Sequence, residues 1–369
     1  MAPSFADLRL ITSASSCAQN GGWSYSDQSC DPWGRPFNYP NLWVDIFSTI
    51  GIGESQTALI GRVQIILLVA AIFWWLCFIL NFAGSRGKFS ALFVIALLFS
   101  VSPPVLLLAE RGNIDIWIFL GLSLVSVLLL RGGYYFPVVI LGLLVALKIY
   151  PFASFGTLLR FRYSHKRLIF LLLTISLVVI SLFSEWQIVL NRSISTWNSI
   201  SYGSSVIPLI SLQIFGIDES KSLATILGWS IFSLSCLTIK LLYPKQLNQF
   251  GRALSLNSQL LLMVQVFGSA YLFSYLVGTS YDLRLIFLLP IFLSLATLIE
   301  HRRYLSCLIV TLIAVMYGGQ FTAGFGKGGL LVNIVGDVAL SFFSSFLFLL
   351  IWQSLIVRMR FLTPKQHRQ

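Results

Sequence analysis

The sequence predicts an all-α protein, a polytopic bundle of transmembrane helices. Of its 369 residues, 57% are apolar and only 10% are charged, whereas an ordinary soluble domain has about 25% charged residues. The apolar residues form long runs, and a run of about 20 crosses a hydrocarbon core of about 30 Å as a helix. These observations exclude a water-soluble protein. The net charge of +12 therefore indicates membrane topology, and no nucleic-acid partner is expected.

The apolar runs divide the chain into three predicted regions. Residues 1–58 form an outer region, residues 59–357 a transmembrane domain, and residues 358–369 a basic cytoplasmic tail. A helix satisfies its own backbone groups in hydrocarbon, so each long run is expected to be a helical span. We expect nine spans, at residues 59–80, 89–109, 114–130, 168–184, 223–242, 256–279, 284–299, 305–319 and 335–357.

A tenth apolar stretch, residues 134–159, is predicted to enter the membrane and turn back. Arg131 precedes it and Arg160 follows it, so both of its ends carry cations typical of the cytoplasmic side. Lys148 lies near its middle, where a lipid-facing charge costs about 2.5–3.5 kcal/mol. Pro151 interrupts a continuous helix there. A re-entrant hairpin that turns at this point accounts for both features.

The charges at the span ends predict the orientation of the chain. Most of the 25 Lys and Arg residues fall at one set of ends, which by the positive-inside rule is cytoplasmic. Among the 13 Asp and Glu residues, only Glu300 falls there. Acids have little influence on insertion, so their concentration outside needs another cause, and chemistry is one candidate. The sequence thus predicts a multi-pass cell-membrane protein whose active site faces the exterior.

Two outer segments are predicted to rest on the membrane surface. In the first, apolar residues recur at the helical spacing i, i+3, i+4 and i+7, at Trp43, Ile46, Phe47 and Ile50. The second lies in the outer loop over residues 185–222, where an apolar run from Val206 to Ile217 is too short to span. We therefore expect an interfacial helix in the outer region and a second surface segment in this loop.

The five cysteines agree with this sidedness. Cys17 and Cys30 lie in the outer region, where oxidation is permitted, and the others lie within spans, at Cys77, Cys236 and Cys307. We expect a disulfide between Cys17 and Cys30 that holds the shape of the outer region, with two unpaired thiols as the alternative. Closing a loop of this length contributes about 3 kcal/mol in the chain-entropy model.

Polar clusters lie at four outer helix ends, at residues 5–9, 30–40, 110–115 and 281–284. The turn at 110–115 is the densest, with three ionisable side chains, an amide and a glycine that lets a ligand approach the backbone. Such density is costly for a mere connector beside a membrane. The guanidinium of Arg111 suits a phosphate, and the carboxylates of Glu110 and Asp115 can accept hydroxyl protons.

Asp282 and Arg284 repeat this pairing of acid and guanidinium in a later outer loop. A solvated surface ion pair, worth about 0–1 kcal/mol, is the alternative interpretation of both clusters. It is the preferred interpretation of the scattered outer acids, Asp27, Asp45, Glu54, Asp218 and Glu219.

Several other chemistries are excluded by the sequence. The three histidines, His165, His301 and His367, lie in basic segments predicted to be cytoplasmic, so no histidine metal site or Ser-His dyad can form outside. The chain has no P-loop, dinucleotide fingerprint or Cys-x-x-Cys motif. A lipid-borne substrate delivered from the bilayer therefore fits better than a soluble nucleotide.

The outer motifs follow one another in a defined order: Asp7, then Asp31-Pro32-Trp33, Phe37-Asn38-Tyr39-Pro40, the turn Glu110-Arg111-Gly112-Asn113-Ile114-Asp115, and Lys148 with Pro151. In this order they resemble the GT-C glycosyltransferases, and most closely the branch of polyprenyl-phosphate-mannose-dependent α-mannosyltransferases and related bacterial enzymes. The resemblance covers residues 5–160 by motif and the remainder by hydropathy. Position 41 is Asn where the family commonly has a second Pro, and position 110 is Glu where Asp is frequent.

The resemblance implies a GT-C-like fold, a catalytic carboxylate in the first outer loop and a polyprenyl-phosphate sugar donor. The acceptor would be a glycolipid or a glycan. Asp7 matches the family's early catalytic Asp, and its second-loop turn is matched by Glu110, Arg111, Asn113 and Asp115. The family places a helix before this Asp, whereas only six residues precede Asp7, so we expect that a first helix is missing.

The chemistry expected of such a site is inverting sugar transfer. Asp7 would accept the proton of an acceptor hydroxyl as that oxygen attacks the anomeric carbon, worth about 10²–10⁴-fold; Glu110 and Asp115 are the other candidates. Cations would meet the charge that develops on the leaving lipid phosphate. The candidate donor-binding residues are Arg111, Asn113, Lys148, Asp282 and Arg284. No cofactor is expected, and a Mg²⁺ or Mn²⁺ ion shared by two carboxylates is the open alternative.

Two other classes of protein compete with a transferase. A transporter or flippase of lipid-linked sugars would use the broken segment 134–159 to line its path. However, the acids cluster at one face instead of near the midplane, and the chain contains no internal repeat. A purely structural membrane subunit is the third possibility. These observations favour the transferase.

Overall fold

The computed structural model of the chain is all-helical apart from one short ladder. It describes residues 4–22, 29–35, 37–83, 88–160, 164–191, 201–206, 208–209, 221–277, 280–299, 302–318 and 326–362. Within these residues, Ser201–Tyr202 pairs in antiparallel register with Ser280–Tyr281. The predicted all-α class is confirmed.

The helices of the first half are α1 (Ala6–Gln19), α2 (Leu42–Thr49), α3 (Thr57–Ala83), α4 (Phe89–Ser100), α5 (Pro103–Arg111), α6 (Asp115–Leu130), α7 (Tyr135–Leu147) and α8 (His165–Asn191). Those of the second half are α9 (Lys221–Leu242), α10 (Pro244–Leu256), α11 (Ser258–Leu276), α12 (Leu288–Leu298), α13 (Arg302–Tyr317) and α14 (Gly326–Leu362). Short 3-10 helices cover Glu54–Gln56, Tyr150–Arg160 and Asp282–Phe287.

Local sequence determines where several of these helices begin. Pro103 starts α5 and Pro244 starts α10, and proline suits the first position of a helix because its missing N–H has no partner to lose there. Asn257 precedes α11, and its side-chain oxygen accepts a hydrogen bond of 3.1 Å from the backbone N–H of Leu260. This contact satisfies one of the unpaired donors of the first helical turn.

In the described part of the chain, four helices are long and apolar enough to cross a membrane, or five if one broken pair counts as a single span. The four cover Glu54–Asn81, Leu223–Leu242, Ser258–Leu276 and Val335–Ile356, and the broken pair is Phe89–Ser100 with Pro103–Arg111. Each coincides with a predicted span. The chain therefore has the helices that a membrane protein requires.

The other predicted spans coincide with helices as well, but most of these are short. Three contain only 10–17 residues: Asp115–Leu130, Leu283–Leu298 and Tyr304–Tyr317. At 1.5 Å per residue, a helix of 16 residues such as α6 is about 24 Å long, less than a hydrocarbon core of about 30 Å. The predicted span at 168–184 lies within the 27 residues of α8.

The helices form two compact units. The first consists of Met1–Trp74 and Pro104–Ser195, and the second of Trp75–Pro103 and Thr196–Gln369. The first unit thus contains the motifs from Asp7 to Pro151, and the second contains Asp282 and Arg284.

In the first unit, α6 and α7 run antiparallel and pack closely. Lys148, just after α7, contacts Asp115 at the start of α6. Further along, a Cβ atom added to Gly121 would lie 2.5 Å from a methyl carbon of Leu144, so only glycine allows the two helices to approach this closely at that point.

Helices α7 and α8 run parallel, which requires the chain to turn back between them. The hydroxyl of Tyr134, just before α7, donates to the carbonyl oxygen of Arg167 near the start of α8 at 3.2 Å. One turn further, the rings of Tyr135 and Phe170 pack edge to face. The 3-10 helix Tyr150–Arg160 makes the return. Both ends of the stretch predicted as a hairpin therefore lie together, and the break falls at Lys148, whose backbone is extended.

Polar contacts attach α1 to the segment before α3. The hydroxyls of Thr12 and Thr57 lie 2.6 Å apart in a buried position. The hydroxyl of Ser15 donates to the carbonyl oxygen of Ile52, and the backbone N–H of Glu54 donates to the hydroxyl of Ser16. These small hydroxyl side chains let α1 pack closely on this segment while their own oxygens form hydrogen bonds.

Helix α2 covers the predicted interfacial segment, but its apolar face packs on protein. Trp43 and Phe47 are buried, whereas Ile50 is exposed. The indole N–H of Trp43 donates to the carbonyl oxygen of Leu147 at 3.1 Å, at the end of α7. The prediction of a helix is correct, and part of its apolar stripe packs on protein. Its expected placement on the membrane surface stays a prediction.

In the second unit, α11 is the most buried of the candidate spans, with 78% of its apolar window inside the unit. Tyr271 on α11 contacts the hydroxyl of Ser344 on α14 at 2.8 Å. The start of α9 meets the end of α11, where the indole N–H of Trp229 donates to the carbonyl oxygen of Leu276. Helix ends that the charges predict to share the outer side therefore lie together.

Several sequence predictions fall outside the described residues. They include most of the outer loop at 185–222 with its apolar run, the acids Asp27, Asp218 and Glu219, and the end of the basic tail beyond residue 362.

The hairpin can be tested by labelling cysteines from either side of the membrane. Arg131→Cys and His165→Cys are introduced singly into a chain whose Cys77, Cys236 and Cys307 are replaced by Ser. We expect an impermeant maleimide to label both from the same side, because both positions lie at one end of the α7–α8 pair.

Ser55→Cys, exposed beside the start of α3, is the matched control and should be labelled from the opposite side. Labelling of positions 131 and 165 from different sides would show that residues 134–159 cross the membrane.

Candidate functional site

The predicted polar residues of the first unit meet at helix ends. Asp7 lies in the first turn of α1 and Asp115 in the first turn of α6. Arg111 lies in the last turn of α5, and Lys148 follows the last residue of α7. Carboxylates are stabilised at helix N-termini and cations at C-termini, so the helix dipoles favour each of these charges where it lies.

Asp7 accepts three hydrogen bonds from two residues of the turn at 110–115. It is 6% exposed, and its Oδ1 accepts hydrogen bonds from Nε and Nη2 of Arg111 at 3.0 and 2.7 Å. Its Oδ2 accepts from the amide of Asn113 at 2.6 Å. A carboxylate has about four acceptor positions, and these donors fill three. The position that remains on Oδ2 is where a further donor could bind.

Asn113 connects the two acids. Its side-chain nitrogen donates to Asp7, and its side-chain oxygen accepts from the backbone N–H of Asp115 at 2.9 Å. Both ends of a buried amide are therefore used. The connection fixes the start of α6 relative to the start of α1, although the two acids are far apart in sequence.

Asp115 forms the second ion pair of the cluster. Its Oδ1 lies 2.7 Å from Nζ of Lys148 and accepts from the hydroxyl of Tyr150 at 2.9 Å. The Asp115 side chain is 3% exposed and that of Lys148 is 15% exposed. A buried charge without a partner costs several kcal/mol, so this contact explains why Lys148 is tolerated at the end of an apolar helix.

A turn from the first outer region lies beside Asp7. Asp31 accepts from the guanidinium of Arg35 at 2.9 and 3.0 Å and from its backbone N–H at 2.9 Å. Arg35 in turn donates to the carbonyl oxygen of Ala6 at 2.8 Å, and its Nη1 lies 4.0 Å from Oδ1 of Asp7. Arg35 thus brings a second guanidinium to the same carboxylate.

The electrostatic environment of Asp31 favours its charged form. Burial acts to raise the pKa of this carboxyl, but the hydrogen bonds and the charge of Arg35, with a weaker contribution from the backbone N–H of Trp33, hold the pKa below its ordinary value of 3.8. Asp31 therefore remains ionised at neutral pH and keeps Arg35 in place.

A disulfide joins Cys17 and Cys30, as the sequence predicts. It connects the end of α1 to the residue before Asp31. The bridge therefore fixes the turn that carries Arg35 against the same helix that carries Asp7.

Tyr39 lies between the two acids and stays protonated. Burial raises the pKa of its hydroxyl well above 10, and the charges of Asp7 and Asp115 raise it further, while Arg111 and Arg35 oppose them. Nζ of Lys148 lies 5.2 Å from the centre of its ring. Tyr39 is therefore an uncharged side chain of the site, and the face of its ring also stabilises the cation of Lys148.

The turn after α5 needs its glycine. Gly112 has a positive φ of 59°, and a Cβ atom there would lie 3.1 Å from Phe5. The backbone N–H of Phe5 donates to the carbonyl oxygen of Glu110 at 2.7 Å. A larger residue at 112 would push away the segment that leads into α1 and with it Asp7.

The structure places the predicted site residues in three groups. Five of them are joined by direct contacts: Asp7, Arg111, Asn113, Asp115 and Lys148. The side chain of Glu110 is exposed, although its backbone contacts Phe5. Asp282 and Arg284 belong to the second unit, so their role in donor binding stays a prediction.

Sequence reasoning did not include four residues of this cluster among the site residues: Asp31, Arg35, Tyr39 and Tyr150. The four-residue spacing of Asp31 and Arg35, with a glycine between them, is typical of a closed turn. In the structure Gly34 has a φ of 64°. Nothing in the local sequence indicates that Tyr150 reaches Asp115.

The carboxylates of the site already have arginine and lysine side chains as partners. Among the described residues, no three His, Cys, Asp or Glu side chains come close enough together to hold a metal ion. Asp7 and Asp115, which could share a divalent cation, already face Arg111 and Lys148. A metal would have to compete with those side chains.

The arrangement can hold an anion beside a carboxylate that accepts a proton. The three carboxylates of Asp7, Asp31 and Asp115 are balanced by three cations, namely Arg35, Arg111 and Lys148.

Comparison of the chain with protein-family models, curated proteins and solved structures finds no match. The function must therefore be argued from this geometry.

The Asp31–Arg35 turn should make stability depend on pH. Because the pKa of Asp31 is lower in the folded than in the unfolded chain, its contribution is present above about pH 4 and lost as pH falls through the lower folded value. We expect the thermal unfolding midpoint of Asp31→Asn to lie below that of the wild type at pH 7 and to approach it as pH falls below about 4.

Asp45→Asn, an exposed acid in the first turn of α2, is the control and should show a small difference at every pH. A difference between wild type and Asp31→Asn that does not change with pH would mean that the ion pair with Arg35 contributes nothing.

Proposed function

We propose that the protein is an inverting membrane glycosyltransferase that moves a sugar from a polyprenyl-phosphate donor to a glycolipid or glycan acceptor. The observation that carries the proposal is the buried cluster in which Asp7 faces two guanidinium groups. A general base and cations for a departing phosphate are what this reaction needs, and they lie within one cluster. The order of the same residues along the chain resembles that of the GT-C enzymes.

Asp7 is the proposed base. The acceptor hydroxyl would donate to the remaining position on Oδ2 and transfer its proton as its oxygen attacks the anomeric carbon. General-base catalysis of this kind contributes about 10²–10⁴-fold. Arg111 and Asn113 would hold the carboxylate in one orientation, which limits the reorganisation needed during the reaction. Asp115 is less favoured as the base, because it is Asp7 that matches the early catalytic Asp in the motif order that resembles the GT-C enzymes.

The cations are proposed to stabilise the leaving lipid phosphate. Arg111 and Arg35 both approach Oδ1 of Asp7, at 2.7 and 4.0 Å. A guanidinium can hold a phosphate with two parallel hydrogen bonds. The sugar phosphate would bind beside them, while the polyprenyl chain stays in the bilayer.

The proposed setting is a multi-pass protein of the cell membrane with a GT-C-like fold. The four or five long apolar helices support membrane insertion, and the shorter apolar helices would complete a bundle of about nine spans with the hairpin at 134–159. The positions of the basic residues support an outward-facing site.

A transporter is less well supported. The cluster residues lie in the first or last turns of helices or just beyond them, whereas a transport site is expected near the middle of spans. A carboxylate poised with an open acceptor position also suits proton transfer better than passage of a solute.

The proposal is tested by incubating the purified protein in detergent with a panel of polyprenyl-phosphate sugars and a mixture of membrane glycolipids. Release of polyprenyl phosphate with a new glycosidic product supports it. Movement of the intact donor across vesicle membranes without any product would instead identify a flippase.

Arg111→Lys tests the role of the guanidinium. Lysine keeps the charge but offers a point charge in place of the planar fork. We expect the KM for the donor to rise about tenfold, the loss of roughly one charge-assisted hydrogen bond, with less change in the KM for the acceptor. The measurement is initial rate against donor concentration with the acceptor saturating.

Arg9→Lys is the matched control, because Arg9 forms a partly exposed ion pair with Glu54 outside the cluster. It should behave as the wild type. If Arg111→Lys also matches the wild type across the donor range, Arg111 does not bind the donor phosphate.

A further inference from the structure

We propose that the second unit binds an anionic phospholipid, with an acyl chain in a cavity among α9, α10, α12, α13 and α14 and the head group at Lys240 and Lys245. The cavity has a volume of about 440 Å³, within the range of about 300–1,000 Å³ that is typical of small-molecule sites. This lipid site involves the second unit alone and is independent of the proposed sugar transfer.

The walls of the cavity suit a hydrocarbon chain. They are formed largely by leucine and phenylalanine side chains. Phe250 packs edge to face on Phe346, and Phe343 stacks on Phe292 with ring centres 4.7 Å apart. These contacts fix the positions of the rings in the cavity wall. An acyl chain would gain dispersion contacts along its length that an empty cavity leaves unmade.

One end of the cavity lies at helix ends, and the cavity extends from there to Thr311 and Ala339 within α13 and α14. Its lining includes Ile239 near the end of α9, Ile299 just after α12, and Tyr304 near the start of α13. The charge pattern predicts that these three ends share the cytoplasmic side. The side chains of Tyr243 and Tyr304 are about half exposed, at 53% and 50%. The cavity therefore opens at the surface, with tyrosines at the level where tyrosine is enriched in membrane proteins.

Two exposed lysines lie one residue from the cavity lining. Lys240 follows Ile239 near the end of α9, and Lys245 precedes Gln246 near the start of α10. Helix α10 is amphipathic, with Leu247 and Leu254 buried and its cations outward. Basic residues at the cytoplasmic ends of spans attract the head groups of anionic lipids.

Helix α10 connects the two parts of this site. Its buried face supplies Leu247 and Phe250 to the cavity, and its exposed face carries Lys245 and Arg252. One phospholipid would then contact the same helix twice, through its chain on one face and its head group on the other.

Cys307 makes the proposal testable, because it lines the cavity and is exposed. In a Cys77→Ser, Cys236→Ser chain with the disulfide intact, its reaction with a membrane-permeant maleimide is timed in nanodiscs of phosphatidylglycerol or of phosphatidylcholine. We expect slower labelling in phosphatidylglycerol, because the bound chain covers the thiol.

The double variant Lys240→Gln, Lys245→Gln should abolish this protection, with anionic-lipid affinity lower by about an order of magnitude. Lys166→Gln, which removes an exposed cation from α8 in the first unit, should label as the wild type and so controls for the surface potential of the nanodisc.

Native mass spectrometry of the protein extracted from mixed lipid gives the second readout. The wild type should retain phosphatidylglycerol and the double variant should not. Equal labelling in both lipids, or a wild type that retains no phosphatidylglycerol, would overturn the proposal. Neither measurement depends on transfer activity, so a failure here leaves the proposed function unaffected.

Discussion

The ion pair between Asp7 and Arg111 is the interaction on which the first unit depends. It joins α1 to the end of α5, and through Asn113 it also fixes the start of α6. Breaking a fully buried ion pair costs about 3–5 kcal/mol. The Arg111 side chain is 27% exposed, so the cost here is lower. Removal of Arg111 would still leave the Asp7 carboxylate mostly buried and without its ion-pair partner. The helix termini, the glycine turn and the disulfide all support this one contact.

The second constraint is the return of the chain after α7. Because α7 and α8 run parallel, the segment between them must travel back along the helices, and the break places Lys148 beside Asp115. The apolar sequence of this stretch and its one lysine therefore have a single explanation. The lysine is neutralised by the acid of the neighbouring helix, and the hydroxyl of Tyr150 completes the contact. The turn of the chain after α7 therefore also places Lys148 in the site.

Hydropathy was sufficient to predict the apolar helices but not the more polar α1 and α10, and the density of polar residues at 110–115 was sufficient to predict that this turn belongs to the cluster. Which cation pairs with which acid could not be predicted. Asp7 and Arg111 are 104 positions apart, and no local pattern indicates which cation an isolated acid will meet. The apolar stripe of α2 predicted a helix, but its period does not distinguish a bilayer from a protein core. Glu110 and Arg111 are neighbours, yet only Arg111 faces Asp7, since adjacent helical residues point in different directions.

The central claim is that Asp7 acts chemically, beyond its part in holding the first unit together. The most direct test compares turnover per folded molecule for Asp7→Asn and Glu54→Gln, with the folded fraction taken from thermal unfolding of each sample. Both changes weaken an ion pair of α1, but Glu54 pairs with Arg9 outside the cluster and only Asp7 is the proposed base. We predict that Asp7→Asn loses about 10²-fold or more in turnover while Glu54→Gln stays near the wild type. Equal turnover per folded molecule in the two variants would contradict the account.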